Sequence, residues 1–299
     1  MITSQWLVPA VHTWVKSWFA QNGARQRIRI LAEMMFPTVD SRKLHRDNLL
    51  NNSAYPNSES PDNCAAGFIP GPLDPLRYDG QVLDPDEVTG IFASLISTGN
   101  RVLDVGCGTG SITKILADTC KIDIIGVEPD PTRAARAISR GLKVHVGSLN
   151  AELVRMMGLF DVVLFADVLE HLANPQPMLL TARDALRPHG SIIISVPNVA
   201  HWSVRVDVIR GRFQYQPTGI MDATHLRWFT TASAKSLLAS VGFKVTAYRA
   251  TAGLTLLDNV YRRPLRWIPQ KNRIDFLRFA SKRWPTLFGC QHVLKAEME

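Results

Sequence analysis

The chain has 299 residues, of which 46% are apolar and 20% charged, with a formal net charge of +8. That balance describes a globular protein with a real core and excludes a disordered or collagen-like chain. No run of about twenty uninterrupted apolar residues occurs, which argues against a spanning helix. Four scattered cysteines (Cys64, Cys107, Cys120 and Cys290) include no C-x-x-C pair, so neither a zinc site nor a disulfide framework is expected. A reducing cytoplasm suits them.

In chain order, residues 1–50 read as a helical arm. Leu7, Val11, Trp14 and Trp18 form one helical stripe, and Lys16, Arg25, Arg27 and Arg29 follow before the first acid, Glu33. The stripe suits packing on its own domain, a homodimer contact or an interfacial membrane contact. It lacks the basic start and clean apolar core of a secretory signal. Residues 51–83 are polar and turn-rich and read as a linker. Folded structure is expected over 84–299, beginning with a helix near 87–97.

From Arg101 onward the alternation is regular. Strands are expected at 101–105, 123–128, 143–146, 160–165 and 191–195, and helices at 111–119, 131–140, 176–187 and 231–240. Two late strands, 243–248 and 291–295, complete the pattern. Such alternation means a mostly parallel sheet with helices on both faces. The late strands are separated by a long segment, so a cap insertion is expected at about 250–289. It carries Trp267, Trp284 and eight basic residues against Asp275 between 262 and 285. Its charge suits anionic lipid or an acidic substrate, and a solvated helical face equally.

The most informative stretch is Val102-Leu103-Asp104-Val105-Gly106-Cys107-Gly108-Thr109-Gly110. An apolar strand ends in an acid and breaks into glycines at alternate positions, and helical spacing restarts at Ser111. Backbone there can approach a ligand closely beside a helix N-terminus. A dinucleotide fingerprint would need a third glycine where Ser111 stands, which disfavours a nicotinamide oxidoreductase. Glu128, ending the next strand about twenty residues on, is placed to accept hydrogen bonds from ribose hydroxyls. The fourth strand reads Phe160-Asp161-Val162-Val163-Leu164-Phe165-Ala166-Asp167 and runs into Leu169-Glu170-His171. Downstream come Leu186-Arg187-Pro188-His189-Gly190, then Pro197-Asn198-Val199-Ala200-His201-Trp202, then Asp222-Ala223-Thr224-His225-Leu226-Arg227-Trp228-Phe229-Thr230.

Together these motifs resemble the class I S-adenosylmethionine (SAM) methyltransferases, in a bacterial branch related to the ubiquinone-type O-methyltransferases. The resemblance implies a Rossmann-like, seven-stranded α/β sheet whose last strand is antiparallel. It implies SAM bound by Asp104, Gly106, Cys107, Gly108, Gly110, Glu128, Pro129, Ser148, Phe165 and Ala166. Ser148 stands where many members have Asp, and His189 and Trp228 stand where Gly and Phe are common. The branch further implies O-methylation of a hydroxyl on a sugar or other glycoconjugate. A quinone-type or small-molecule hydroxyl, or a SAM-binding partner protein without catalysis, are the alternatives.

Methyl transfer to a hydroxyl needs alignment, exclusion of water and removal of one proton. His171 and His225, with unperturbed pKa values near about 6.5, are the candidate bases. Asp222 is a candidate to orient His225. His201, Trp202, Asp222 and Arg227 are candidates for the acceptor side. No spacing is diagnostic of a metal, so none is assigned. The strand after Asp161 leads into Phe165-Ala166-Asp167-Val168 rather than an N-P-P-Y-type motif, so a nucleic-acid acceptor is not expected. The expected setting is cytoplasmic, with peripheral inner-membrane contact through the Trp- and Arg-rich segments.

Overall fold

The computed structural model describes residues 73–254 and 270–299. The arm at 1–50, the linker up to residue 72 and the stretch 255–269 with Trp267 lie outside the described residues.

After a turn-rich stretch at 73–87 comes helix α1 (Val88–Leu95), then β1 (Arg101–Val105), α2 (Ser111–Cys120), β2 (Asp123–Glu128), α3 (Pro131–Ser139), β3 (Lys143–Val146), α4 (Ala151–Met157) and β4 (Phe160–Ala166). A short 3₁₀ turn (Leu169–His171) precedes α5 (Gln176–Asp184), β5 (Leu186–Pro197), α6 (Trp202–Ile209), α7 (Thr231–Ala239) and β6 (Phe243–Ala250). Helices α8 (Gln270–Arg283) and α9 (Pro285–Phe288) lead to β7 (Gln291–Met298).

The seven strands form one sheet in the order β3-β2-β1-β4-β5-β7-β6. Only β7 runs against its neighbours, pairing antiparallel with β5 and β6. The mostly parallel, helix-covered sheet expected from the alternation is present.

Side-chain alternation along each strand builds two separate cores. Val102, Val162, Leu164, Ile193 and Val293 pack with Val88, Ile91, Phe92 and Leu116 under α1 and α2. Leu103, Val105, Val163, Phe165, Ile192 and Ile194 pack on the opposite face with Leu153, Leu179, Ala182, Ala234 and Leu238 from α4, α5 and α7. Strands buried on both faces read as continuous apolar runs. That is why β1, β2 and β4 are legible in the sequence, whereas β3 is a largely exposed edge strand.

Caps set the helix starts. The Asp130 side chain accepts from the Thr132 and Arg133 amides to start α3, and Thr230 shares a capping box with Ser233 to start α7. The strand order switches between β1 and β4, where β2 and β3 go one way and β5 the other. Ligands in such sheets bind at the carboxyl ends of the strands near that point.

Candidate functional site

The glycine loop lies at the switch point. Gly106, Gly108 and Gly110 all have positive φ, at 73°, 57° and 72°. A Cβ on Gly106 would come within 2.7 Å of Val168 Cγ2, and one on Gly110 within 2.4 Å of Leu142 Cδ1. At Gly108 the same direction meets nothing within 4 Å, so the backbone there faces open space. This is the cradle a closely approaching ligand requires.

Two buried acids hold the loop. Glu128, 3% exposed, accepts from the Gly108 amide through Oε2 (2.8 Å) and from the Asp130 amide through Oε1 (3.0 Å). A carboxylate has about four lone-pair sites, so two remain for a ligand. The Gly106 and Cys107 amides both donate to Val127 O. Asp104 points to the α2 side, where Thr113 Oγ1 donates to Oδ2 (2.6 Å). Its Oδ1 is buried without a hydrogen-bond partner. Burial pushes the Asp104 carboxyl up to about 6, opposed by the Thr113 bond. An orphaned buried acceptor beside an open glycine turn fits a cationic amino-acid moiety such as that of SAM.

The other residues expected at the cofactor differ in exposure. Cys107 is buried, and burial raises its thiol well above the ordinary range, which suits a filler and not a nucleophile. Pro129 and Ser148 are exposed at the ends of β2 and β3. Ala166 is partly exposed at the end of β4. Phe165 is fully buried in the main core, so its side chain belongs to packing and only its backbone reaches the strand edge.

A strap at 74–81 runs from this half to the next. Ser111 Oγ donates to Asp79 O and accepts from the Gln81 amide, both at 3.0 Å. Arg136 of α3 and Arg140, the residue just after that helix, pair with Asp79. Further back, Arg77 Nη2 pairs with Asp222 at 3.2 Å and Tyr78 Oη donates to it at 2.7 Å. Thr224 adds its hydroxyl (2.6 Å) and amide (2.8 Å) to the same carboxylate. Hydrogen bonds from Thr224 and Tyr78, with the Arg77 charge, outweigh burial and hold the Asp222 carboxyl below the usual range. Asp222 therefore anchors the strap. It does not orient His225, as its spacing had suggested: its oxygens are taken by groups that outcompete an imidazole.

His171 and His225 come together. Their ring centroids are 5.0 Å apart, edge to face. His171 Nδ1 lies 3.1 Å from Thr224 O, and His225 Nδ1 lies 3.1 Å from Ile220 O. A carbonyl can only accept, so both Nδ1 atoms are donors, and in a neutral ring so held the lone pair lies on Nε2. Burial and the neighbouring His171 push His225 down to about 4, so it is neutral at pH 7. Glu170 lies alongside, fully buried, with neither carboxylate oxygen partnered. One ligand atom each from Glu170, His171 and His225 lies within 4.8 Å of the others. Glu170 belongs to the Leu169-Glu170-His171 motif, and nothing in its local sequence marks it as a member of this cluster.

The remaining candidates are held by other partners. His201 is fully buried, caps α6 by accepting from the Ser203 amide, and approaches Cys290 Sγ (3.9 Å). Burial pushes it down to about 3. Trp202 packs against it at 5.7 Å between centroids. Arg227 donates twice to Ala173 O, closing the loop after the 3₁₀ turn. Trp228 forms an aromatic trio with the exposed Phe213 and Tyr215, with centroids 5.6 to 6.1 Å apart.

In the basic cap, Arg278 pairs with Asp84 (2.6 Å) and Asp86 (3.3 Å), and Lys282 with Asp86 (2.7 Å). Part of its charge therefore docks α8 onto the chain before α1. No helix among the described residues is long and apolar enough to cross a membrane.

The strand order with one reversed strand, and the glycine loop seated on Asp104 and Glu128, define the Rossmann-like SAM-dependent methyltransferase class. Residues 87–251, more than half of the chain, match the family described as "Methionine biosynthesis protein MetW". The chain belongs to that family. It is also 31% identical over 158 residues to a ubiquinone biosynthesis O-methyltransferase of Azorhizobium caulinodans, covering 50% of this chain and 60% of the relative. A namesake from Shewanella halifaxensis is 35% identical over 134 residues, covering 42% and 52%. The chain thus spans only a little over half the length of these curated relatives. A SAM-dependent methyltransferase structure from Archaeoglobus fulgidus is similar over 69% of this chain and 90% of its own, with a TM-score of 0.46 and 21% identity.

Proposed function

We propose that the chain is a SAM-dependent O-methyltransferase acting on a hydroxyl of a sugar or glycoconjugate, activated at the His171–His225 pair. The observation that carries this reading is the placing of both Nδ1 atoms against backbone carbonyls. Both rings spend Nδ1 on backbone carbonyls and keep Nε2 free at the carboxyl edge of the sheet. When bound, SAM supplies a methyl group already activated on a sulfonium sulfur. Asp104 Oδ1 suits its ammonium and Glu128 its ribose, while the open side of Gly108 lets the cofactor pass. A neutral histidine Nε2 accepts the acceptor's proton as the oxygen attacks in line. The exposed Phe213 and Tyr215 rings beside Trp228 offer apolar faces on which a sugar ring stacks.

A quinone-type hydroxyl is the second reading, favoured by the likeness to ubiquinone O-methyltransferases. Incubating the protein with methyl-labelled SAM and cell fractions separates the two. Label in glycan supports the first and label in isoprenoid lipid the second. His171→Ala and His225→Ala should each keep SAM binding in calorimetry, and at least one should lose turnover by about a hundredfold. Full activity in both would remove the pair from the mechanism. The proposal includes peripheral contact with anionic lipid. The contact is made through the Trp- and Arg-rich segments, in which Arg278 and Lys282 are already paired internally, and co-sedimentation with phosphatidylglycerol vesicles tests it.

A further inference from the structure

Both candidate bases take their orientation from one short segment. His225 Nδ1 faces Ile220 O and His171 Nδ1 faces Thr224 O, each at 3.1 Å. In a neutral imidazole, the hydrogen bond at one nitrogen decides which nitrogen carries the proton. Residues 220–224 therefore set both rings, and whatever holds those residues acts on both.

Within the segment, the Asp222 amide donates to Gly219 O (3.1 Å), and Thr224 gives Asp222 Oδ1 its amide and its hydroxyl. The other ties come from the strap. Tyr78 Oη donates to Asp222 Oδ2 (2.7 Å) and accepts from the Gly219 amide (3.0 Å), so one hydroxyl bridges the two ends of the 219–222 turn. Arg77 Nη2 donates to Asp222 Oδ2 and to Thr224 Oγ1, both at 3.2 Å. Asp222 is fully buried, and these four donors fill its lone pairs. Tyr78, by contrast, is 42% exposed, and both hydrogen bonds of its hydroxyl run to this one segment. The strap has separate anchors in Ser111, Arg133, Arg136 and Arg140. It therefore does not need the Tyr78 hydroxyl to stay in place.

We propose that Tyr78 is a positioning residue for the histidine pair: its hydroxyl, acting on Asp222 and on the Gly219 amide, holds Ile220 O and Thr224 O where they fix the proton on Nδ1 of His225 and His171. It touches neither ring, and Asp222 likewise acts through the backbone of its own turn. If the turn slips, the Nδ1–H···O bonds lengthen and the rings are released to carry the proton on Nε2. An Nε2 so protonated donates a hydrogen bond and cannot take a proton from a hydroxyl. The effect on turnover rests on the histidine-base reading of the site, whereas the effect on the rings does not.

The test uses the full chain with ¹⁵N-labelled histidine, because ring nitrogens with and without a proton resonate far apart. The His225 signals are identified by their loss in His225→Gln and recorded at pH 7, where this ring is neutral. Wild type should carry the proton on Nδ1. Tyr78→Phe should show a second population protonated on Nε2, and its transfer of label from methyl-labelled SAM to the accepting cell fraction should fall roughly tenfold at saturating SAM. Asn150→Ala, which removes the cap of α4, is the control for lost stability: its melting temperature should fall with the His225 spectrum unchanged. Thermal melts show whether Tyr78→Phe folds. If it does not, Arg77→Met, which removes the other strap donor to the same carboxylate, carries the same expectation for the spectrum. A wild-type His225 protonated on Nε2, a spectrum unchanged in the folded strap variant, or an equal change in Asn150→Ala would overturn the proposal. An altered spectrum with undiminished transfer would keep the positioning role and strike the histidine base. An altered spectrum in a protein whose wild type labels no fraction would keep it too, and strike the O-methyltransferase reading alone.

Discussion

Gly126 is the residue through which the seating of the cofactor loop is best tested. It lies in β2, opposite Asp104 in the parallel register, with no unusual backbone torsion. A Cβ there would fall 2.5 Å from Cys107 Sγ and 3.1 Å from Cys107 Cβ. A comfortable non-bonded separation is about 3.5–4.0 Å, so roughly 1 Å of overlap must be relieved. Cys107 cannot simply retreat, because its amide and that of Gly106 are bonded to Val127 O. Overpacking of this size costs about 1–3 kcal/mol. Gly126→Ala should therefore lower unfolding stability by about 2 kcal/mol. As the relief moves the loop, SAM affinity should fall roughly tenfold, about 1.4 kcal/mol. Cys107→Ala removes the sulfur and leaves the 3.1 Å contact with its Cβ and a 3.4 Å contact with Val144 Cγ2, so the double variant should recover at least half of both losses. Urea denaturation and calorimetry on the wild type, both single variants and the double variant give the coupling energy directly. A coupling near 1 kcal/mol or more is expected for residues in contact. If the two losses add within about 0.4 kcal/mol, the steric account of the loop is wrong.

Three further outcomes follow from the same geometry. Asp104→Asn should weaken SAM binding by roughly 10- to 100-fold in calorimetry, because a charged acceptor is lost where Oδ1 has no protein partner. Glu87 is buried and pushed up to about 7, mainly by burial, although it accepts from the Leu254 amide. An acid with a raised folded pKa contributes stability that is full below its unfolded value near 4.5 and is lost as pH rises through 7. Glu87→Gln should flatten that loss, so the variant should gain on wild type by about 2–3 kcal/mol between pH 4.5 and 8 in denaturant titrations; parallel curves would refute the assignment. Asp222→Asn should cost about 3 kcal/mol by leaving Arg77 and Tyr78 poorly partnered, and limited proteolysis should then cut within 74–81 faster than in the wild type.

The fold was legible where burial writes itself into the chain as apolar runs. The expected bounds of β1 and β2 coincide with the observed ones, β4 is one residue longer, and the bounds of β3 coincide too although that edge strand is largely exposed. The expected strand at 191–195 in fact runs from Leu186 to Pro197. Its first part pairs Phe160 with Leu186, and the register then jumps so that Val162 faces Ser191. The chain between carries Pro188, Gly190 and a left-handed His189, so it reads locally as a turn although it lies within the strand. Helix α4 escaped notice because it has only seven residues, despite the Asn150 cap that starts it. Helix α6 is capped by a histidine, which is not a usual cap residue. The loop glycines, Asp104 and Glu128 were legible for a different reason: one strand, one turn and one strand end bring them together within 25 residues of chain.

The histidine half of the candidate site is brought together by tertiary contact, and that separates the two halves. Asp222 is 145 residues from Arg77 and 144 from Tyr78, yet its carboxylate is shared among them and Thr224. No local pattern records such a contact. Its consequence is mechanical. The strap at 74–81 is bonded at one end to Ser111, at the start of α2 beside the glycine loop, and at the other to the loop carrying His225. The Glu170 carbonyl accepts from the Leu226 and Arg227 amides, which ties the His225 loop to the His171 turn. Displacing the glycine loop therefore pulls on Ser111 and Asp79, and through Arg77 and Asp222 on the histidine pair. A change at Gly126 should thus disturb more than SAM affinity. It should also lower turnover measured at saturating SAM, because a strap shifted by tenths of an ångström displaces the groups that receive the acceptor. If kcat at saturation is unchanged while affinity falls, the strap does not couple the two halves and each is held by its own contacts.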